Sequence, residues 1–186
     1  MHFFNSILVF VGTTAAVGFT VSKDQPDGVY QVEYAPQGRQ IHTTLDPTLL
    51  LPAVNSSKAE ESESGVTIPQ PRTNQVKPAR VYGCDNLDLS HDDTDRAVEA
   101  LKFQCNPGSV NGNRDFYSVQ GNTVAYICNY NKGSMVCTSD QLGDTYLAIT
   151  TLCGQYKSGW AKFQELGYQM GYEERDANFC GRGVDG

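Results

Sequence analysis

Apolar and polar residues in the second half of the chain alternate with a period of two in several segments. Residues 123–130 place apolar side chains on both faces, which predicts a strand in the centre of a sheet. Residues 115–120 predict the strand before it, and Gly121-Asn122 predicts a tight turn between the two. Further strands are predicted at 135–137 and, as a hairpin, at 160–165 and 168–173.

Two other segments have the period of an amphipathic helix. Ser90 and Asp93 form a capping-box-like start, which predicts a helix over 91–104. Residues 140–152 predict a second helix, with a single apolar stripe. The order helix, strands, helix, strands predicts an α+β fold, in which an antiparallel sheet has two helices on one face.

The first 18 residues have the layout of a secretory signal peptide. A short apolar run is followed by small residues, and cleavage is expected near Ala16 or Gly18. The run is shorter than the ~20 residues that a membrane-spanning helix needs. Residues 1–18 are therefore predicted to be removed on secretion.

Residues 19–80 are predicted to form an N-terminal arm and linker or a propeptide. Residues 29–34 alternate with period two, and 40–44 predict a return strand. A lone hairpin is marginally stable in water, so this one must dock on another element or belong to a pro-segment. From Asp46 the chain is acidic, serine-rich and proline-rich, a composition that predicts an extended or disordered segment. This stretch contains a glycosylation sequon at Asn55.

The cysteines divide the chain near residue 80. Seven of the eight prolines precede Arg80, whereas all six cysteines follow it. An even number of cysteines in a secreted chain predicts disulfides, here three, and six cysteines allow fifteen pairings. Cys128 lies mid-strand and Cys105 and Cys153 lie at predicted helix ends, so bridges from helix to sheet are expected, and a bridge between the domain ends could join Cys84 to Cys180. The disulfide-stapled α+β domain is thus predicted at 81–186, with Cys84, Cys105, Cys128, Cys137, Cys153 and Cys180.

The charge and the catalytic inventory limit the possible functions. The 186 residues include 14 Lys and Arg and 21 Asp and Glu, a net charge of −7, which argues against nucleic-acid and anionic-lipid binding. His91, the one histidine of the predicted domain, is interpreted as part of a solvated helix start. The spacing of the cysteines does not fit zinc. We therefore predict no catalytic residue, no metal ligand and no cofactor.

Tyrosine and tryptophan are the most suggestive residues, because both are enriched at protein interfaces. An alternative, that at least half of the aromatic side chains fill a core, stays open. A glycine-flanked loop, 131–134 or 154–160, is expected to enter a partner's cleft. The predicted partner-binding residues are Tyr130, Lys132, Tyr156, Lys157, Trp160, Tyr168 and Tyr172.

Four segments resemble the small secreted cysteine-rich effector proteins of filamentous plant-pathogenic fungi. They are residues 84–105, 124–130, 153–160 and 178–181. The order of helices and strands is similar to the killer-toxin-like α/β sandwich, and the resemblance covers residues 82–181. Together with secretion, the disulfides, the surplus aromatic residues and the lack of a catalytic constellation, it implies a non-enzymatic effector, a monomer without stable membrane association, that binds a host protein outside the cell, in the host apoplast. In its most concrete form, the effector would inhibit a host hydrolase such as a papain-like cysteine protease, and so suppress plant immunity.

Two alternatives remain open. A killer-toxin-like protein acting on membranes or channels would need a basic patch, for which the candidates are Lys132, Lys157, Lys162 and Arg182. A small secreted hydrolase would need a pair of carboxylates, for which the candidates are Glu165, Glu173, Glu174 and Asp176.

Overall fold

The computed structural model describes residues 17–35, 39–45, 80–105 and 108–182. The signal-peptide prediction for residues 1–16 and the glycosylation prediction at Asn55 lie outside these residues. The strands, in chain order, are β1 (Val17–Phe19), β2 (Gly28–Tyr34), β3 (Gln40–Leu45), β4 (Arg80–Asp88), β5 (Gly108–Val110), β6 (Arg114–Gln120), β7 (Thr123–Asn129), β8 (Met135–Cys137), β9 (Lys157–Phe163), β10 (Tyr168–Glu174) and β11 (Phe179–Arg182). The helices are α1 (His91–Gln104) and α2 (Ser139–Cys153).

Seven strands form one antiparallel sheet in the order β3-β2-β6-β7-β10-β9-β4. The predicted central strand is confirmed, since β7 has three strands on each side. All seven of its residues are buried, as a strand with two apolar faces requires. The predicted hairpin becomes β9 and β10, with a 3-10 turn over Gln164–Leu166 between them. Two shorter pairs, β1 with β11 and β5 with β8, complete the described strands.

Both helices pack on the same face of this sheet. The α1 helix contacts β6 and β7, whereas α2 contacts β9, β4 and β10. The predicted cap is confirmed, because the Ser90 side chain accepts a hydrogen bond from the Asp93 backbone N–H. Leu101 and Ile149 belong to a buried cluster, the helix-side core, which also includes Ile127 and Met170 of the sheet. The predicted α+β class, with two helices on one face of an antiparallel sheet, is confirmed.

The opposite face of the sheet is partly covered by β1 and β11. Phe19 of β1 and Phe179 of β11 pack with ring centroids 5.3 Å apart. They lie on a second buried cluster, the opposite-face core, which includes Tyr30, Tyr117 and Tyr126. Two strands that are far apart in the chain therefore close this core together.

The hairpin assigned to the arm is part of the sheet. Its strand β2 pairs with β6 from Gly28 opposite Val119 to Glu33 opposite Arg114. The docking follows from the period-two pattern, because Tyr30 and Val32 enter the opposite-face core while Val29 enters the helix-side core. The folded unit therefore extends N-terminal of residue 81, to residues of the predicted arm.

Three disulfides are present, as predicted, and the expected bridge from a helix end to the sheet occurs as Cys84–Cys153, but the Cys84–Cys180 pair and a helix bridge to Cys128 do not form. The bonds join Cys84 to Cys153, Cys105 to Cys137, and Cys128 to Cys180. Cys84 does not pair with Cys180, because β4 lies at the edge of the sheet next to the end of α2. Cys128 does not reach a helix end, because its side chain points away from the helices into the opposite-face core.

Candidate binding surface

The loop between β7 and β8 combines an exposed tip with a buried anchor. Residues 131–134 are all exposed. At the base of the loop, the fully buried Asn129 donates side-chain hydrogen bonds of 3.0 Å to the carbonyls of Val110, Asn111 and Gly133. One amide of β7 thus holds the loop, the end of β5 and the residue that follows β5 together. We call residues 131–134 the anchored loop.

A second set of contacts ties the anchored loop to the turn between β9 and β10. The Asn131 side chain donates to the Leu166 carbonyl at 2.7 Å, and the Tyr130 backbone N–H donates to the Gly167 carbonyl at 2.9 Å. The Cys105–Cys137 bond follows the loop directly. Lys132 is therefore presented at the tip of a loop that is fixed at both ends.

Tyr130 extends this surface onto the sheet. Its ring is half-buried, and its hydroxyl donates to the Gln169 side-chain oxygen at 3.3 Å. The Lys162 ammonium lies 5.3 Å from the centre of the ring, within the range of a cation–π contact. Tyr130 and Lys162 thus form a cation–π pair beside the anchored loop, whose exposed tip carries Lys132.

Trp160 lies on the same sheet face, further along β9. The indole lies over Gly83 of β4, where a Cβ would collide with the ring. It is half-buried and packs against the opposite-face core. The glycine lets the ring lie against the backbone, so Trp160 adds an aromatic surface next to Lys162.

Tyr156 and Lys157 lie elsewhere, at the start of β9. The Tyr156 ring stacks on His91 with centroids 3.8 Å apart, and its hydroxyl donates to Asp95 at 3.2 Å. The Lys157 ammonium pairs with Asp88 at 2.5 Å. Five residues of strand separate Lys157 from Lys162, which is roughly 17 Å. These two predicted residues therefore belong to a different part of the surface.

Tyr168 and Tyr172 are buried in the helix-side core, with exposed fractions of 5% and 2%. Burial raises the pKa of both phenols. Tyr168 accepts a hydrogen bond from Gln141 at 2.8 Å, and Tyr172 shares one with Thr150 at 2.9 Å. Alternate residues of β10 face the helices, which puts both tyrosines inside. The prediction that these two tyrosines bind a partner is therefore corrected. They belong to the core, which was the alternative interpretation of the aromatic residues.

A carboxyl pair on the opposite face joins Glu173, one of the four carboxylates considered for a hydrolase, to Asp85, which was not among them. Glu173 of β10 is only 5% exposed and lies beside Asp85 and Ser158. Burial, and then the hydrogen bond and negative charge of Asp85, raise the pKa of Glu173 to about 9. Glu173 therefore keeps its proton at neutral pH and donates a hydrogen bond to the Asp85 carboxylate. No sequence signal marks Asp85 as its partner, because the strand β4 is not evident from periodicity.

One group of possible metal ligands occurs within the described ranges, formed by Asp115, Cys128 and Cys180. Both cysteines are consumed by their disulfide. The Asp115 carboxylate accepts hydrogen bonds from the Tyr34 hydroxyl at 2.6 Å and from the Asn129 backbone N–H at 3.0 Å. These contacts give Asp115 a structural role in holding the strand next to the anchored loop.

No protein-family model matches the chain, and neither a curated protein nor a solved structure is significantly similar to it. The resemblance to fungal effectors and to the killer-toxin-like sandwich therefore stays a prediction. Within the part of the chain that the structure describes, neither helix has the length and apolar character needed to cross a bilayer.

Proposed function

We propose that the protein is a secreted, non-enzymatic binding protein that acts outside the cell on a host extracellular protein. The observation that supports this proposal is the anchored loop, whose tip is exposed and whose base is held by the buried Asn129. A loop that is already ordered loses little conformational entropy when it enters a partner's cleft. The most concrete version is inhibition of a host hydrolase such as a papain-like cysteine protease.

The chemistry of the surface suggests what the partner offers. Lys132, Lys162 and the Tyr130 ring together favour a partner cleft with carboxylates and an apolar wall. Such pairing speeds association and selects the partner more than it adds affinity. The target protein would therefore carry an acidic rim around the cleft into which the anchored loop inserts.

Secretion is supported by the three disulfides, which form and persist in oxidising compartments. The fold also favours one of the two expected cleavage positions. Residues 17–19 form β1, the Gly18 carbonyl accepts from the Gln40 side chain at 2.6 Å, and Phe19 is fully buried. Cleavage after Ala16 would leave this strand intact, whereas cleavage after Gly18 would remove most of it.

The test is competitive labelling of proteases in host apoplastic fluid. The purified secreted protein is added before activity-based probes for cysteine and serine proteases, and loss of label is followed by gel. We expect reduced labelling of at least one cysteine protease. Undiminished labelling in every class would overturn this version of the proposal.

A pair of charge reversals locates the interaction. Lys132→Glu, at the exposed tip, is expected to weaken inhibition at least tenfold, which corresponds to about 1.4 kcal/mol. Lys23→Glu makes the same change at an exposed turn before β2 and should leave inhibition unchanged. Equal effects of the two substitutions would mean that net charge, and not the anchored loop, carries the interaction.

A further inference from the structure

The three disulfides differ in how far solvent reaches them. In one bond, Cys84 is exposed and Cys153 is half-buried. The other two bonds are enclosed in the cores, since each of their cysteines is at most 1% exposed: Cys105, Cys137, Cys128 and Cys180. Thiol–disulfide exchange requires a thiolate to reach a disulfide sulfur, so its rate depends on access. A reductant can therefore reach the Cys84–Cys153 bond while the protein stays folded, whereas the other two bonds require a core to open.

The accessible end of this bond is Cys84. The Cys153 sulfur lies 3.7 Å from the Gly83 carbonyl oxygen, and a Cβ on Gly159 would come within 2.9 Å of that sulfur. It is therefore enclosed between β4 and β9, at the last residue of α2. An attacking thiolate should bond to the Cys84 sulfur and release the sulfur of Cys153.

The Cys84–Cys153 bond fastens an edge strand to the helix layer. Among the described strands β4 lies at the end of the sheet order, and β9 is the strand that pairs with it. The pairing runs regularly from Arg80 to Cys84, is then interrupted, and resumes at Asp88. Residues 85–87, within the interruption, are all exposed. The strand is thus held by one ladder of pairs, and the disulfide joins it covalently to α2.

The strand β4 also contacts the indole of Trp160, the single tryptophan of the chain. The ring lies over Gly83, the residue before Cys84, where a side chain would collide with it. If β4 moved away from the sheet, the ring would lose the backbone on which it lies and would become more exposed. The fluorescence emission of Trp160 therefore reports whether β4 is in place.

The anchored loop is fixed by contacts that lie outside β4. Its base is held by the Asn129 side chain on β7, and its tip region is held by the Leu166 carbonyl between β9 and β10. Release of β4 would therefore change the edge of the sheet and leave the anchored loop in position.

We propose that the Cys84–Cys153 bond is a redox-sensitive latch, which a dithiol reductant opens in the folded protein while the other two disulfides stay closed. One thiolate of the reductant attacks the Cys84 sulfur, forms a mixed disulfide and releases Cys153 as a thiolate, which takes up a proton. The second thiolate of the reductant then displaces the Cys84 thiolate, which is protonated in turn, and the reductant leaves as a cyclic disulfide. Two electrons pass to the protein, and β4 is released from α2. This inference does not rest on the proposed function.

The order in which the disulfides are reduced tests the latch. The intact secreted protein is incubated with limiting dithiothreitol without denaturant, alkylated with iodoacetamide at intervals, digested, and analysed by tandem mass spectrometry. We expect Cys84 and Cys153 to be alkylated at least about tenfold faster than the other four cysteines. Equal rates for all six would mean that reduction follows global unfolding and would overturn the proposal, as would earlier alkylation of either enclosed pair.

The emission of Trp160 tests whether β4 is released. We expect the emission to shift to longer wavelength at the rate at which Cys84 is alkylated, while far-ultraviolet circular dichroism retains the signal of α1 and α2. Unchanged emission after alkylation of Cys84 and Cys153 would show that β4 stays in place, and would overturn the latch. Loss of the helical signal together with the shift would mean that the whole fold opens, which also overturns it.

Two double variants assign the emission change to this bond. Cys84→Ala/Cys153→Ala should have the shifted emission from the outset and should not respond to the same dithiothreitol. Cys105→Ala/Cys137→Ala is the matched control, because it retains the latch, and its emission should respond as that of the unsubstituted protein does. If either variant fails to fold, the order of alkylation in the unsubstituted protein still decides the proposal.

Discussion

The two faces of the central sheet are closed by different parts of the chain. The helix face is covered by α1 and α2, whose residues are close in sequence to the strands they cover. The opposite face is covered by β1 and β11, which come from residues 17–19 and 179–182. The first face can form from local elements, whereas the second is complete only when distant segments meet.

The faces also differ in the groups that they bury. Both cores contain aromatic rings, such as Tyr172 on the helix side and Tyr117 on the opposite face, so the difference lies in the buried carboxyl groups. Asp115 and Glu173 are buried on the opposite side, one accepting two hydrogen bonds and the other keeping its proton. The opposite face should therefore depend more strongly on pH and on the Cys128–Cys180 bond.

Removing the Cys128–Cys180 bond should separate the two faces most clearly. The bond ties β11 to the central strand across a sequence separation of 52 residues. Its loss is expected to cost about 4 kcal/mol in the free energy of unfolding. In Cys128→Ala/Cys180→Ala, amides of β1 and β11 should exchange with deuterium before those of α1 and α2.

The control is Cys105→Ala/Cys137→Ala, which removes a bond on the helix side. Its separation of 32 residues predicts a similar global loss of about 4 kcal/mol. In this variant, the amides of β1 and β11 should lose their protection from exchange only through global unfolding. The same exchange pattern in both double variants would contradict the view that the faces open independently.

The helix face could be predicted from the sequence because its signals are local. The Ser90 cap and the helical period of the apolar positions in residues 91–104 and 140–152 predict α1 and α2 within one residue at each end. By contrast, β1, β4 and β11 were not predicted. Each is paired mainly with a distant strand, and their pairing depends on contacts that no short window contains.

The candidate surface could be predicted only in part, for the same reason. The glycine-flanked loop at 131–134 is marked by its composition, but its anchor is not, since Asn129 reaches residues 110 and 111 across the fold. The alternation of side chains along a strand does predict that Tyr168 and Tyr172 lie on the face of Met170, and that Gln169 lies on the other face. Which face the helices cover, however, is decided by the whole sheet.

Glu173→Gln should make the molecule more stable at alkaline pH. The pKa of Glu173 is raised to about 9 in the fold. Its contribution is therefore fully present below the pKa of the unfolded chain, near 4.5, and is lost progressively as the pH rises toward 9. Glutamine cannot ionise and can still donate to Asp85, so we expect a gain of about 2 kcal/mol at pH 8.

The measurement is urea unfolding of both proteins from pH 5 to pH 9. The difference in the free energy of unfolding should be small at pH 5 and widen with pH. Glu174→Gln, at the neighbouring half-buried position of β10, is the control and should not reproduce this widening. A constant difference between Glu173→Gln and the unsubstituted protein would mean that Glu173 is ionised in the fold at neutral pH.

The smallest effect should come from the helix cap, which tests the helix face, the face that is closed by local elements. Ser90→Ala removes the acceptor for the Asp93 N–H and should cost about 1 kcal/mol in urea unfolding. Ser109→Ala, at an exposed position of β5, should change stability by less than about 0.5 kcal/mol. Because the cap belongs to the helix face, faster exchange in Ser90→Ala should begin at the first turn of α1 and leave β1 and β11 protected. If β1 and β11 lost protection together with that turn, the two faces would form one cooperative unit, and the distinction between local and distant closure would fail.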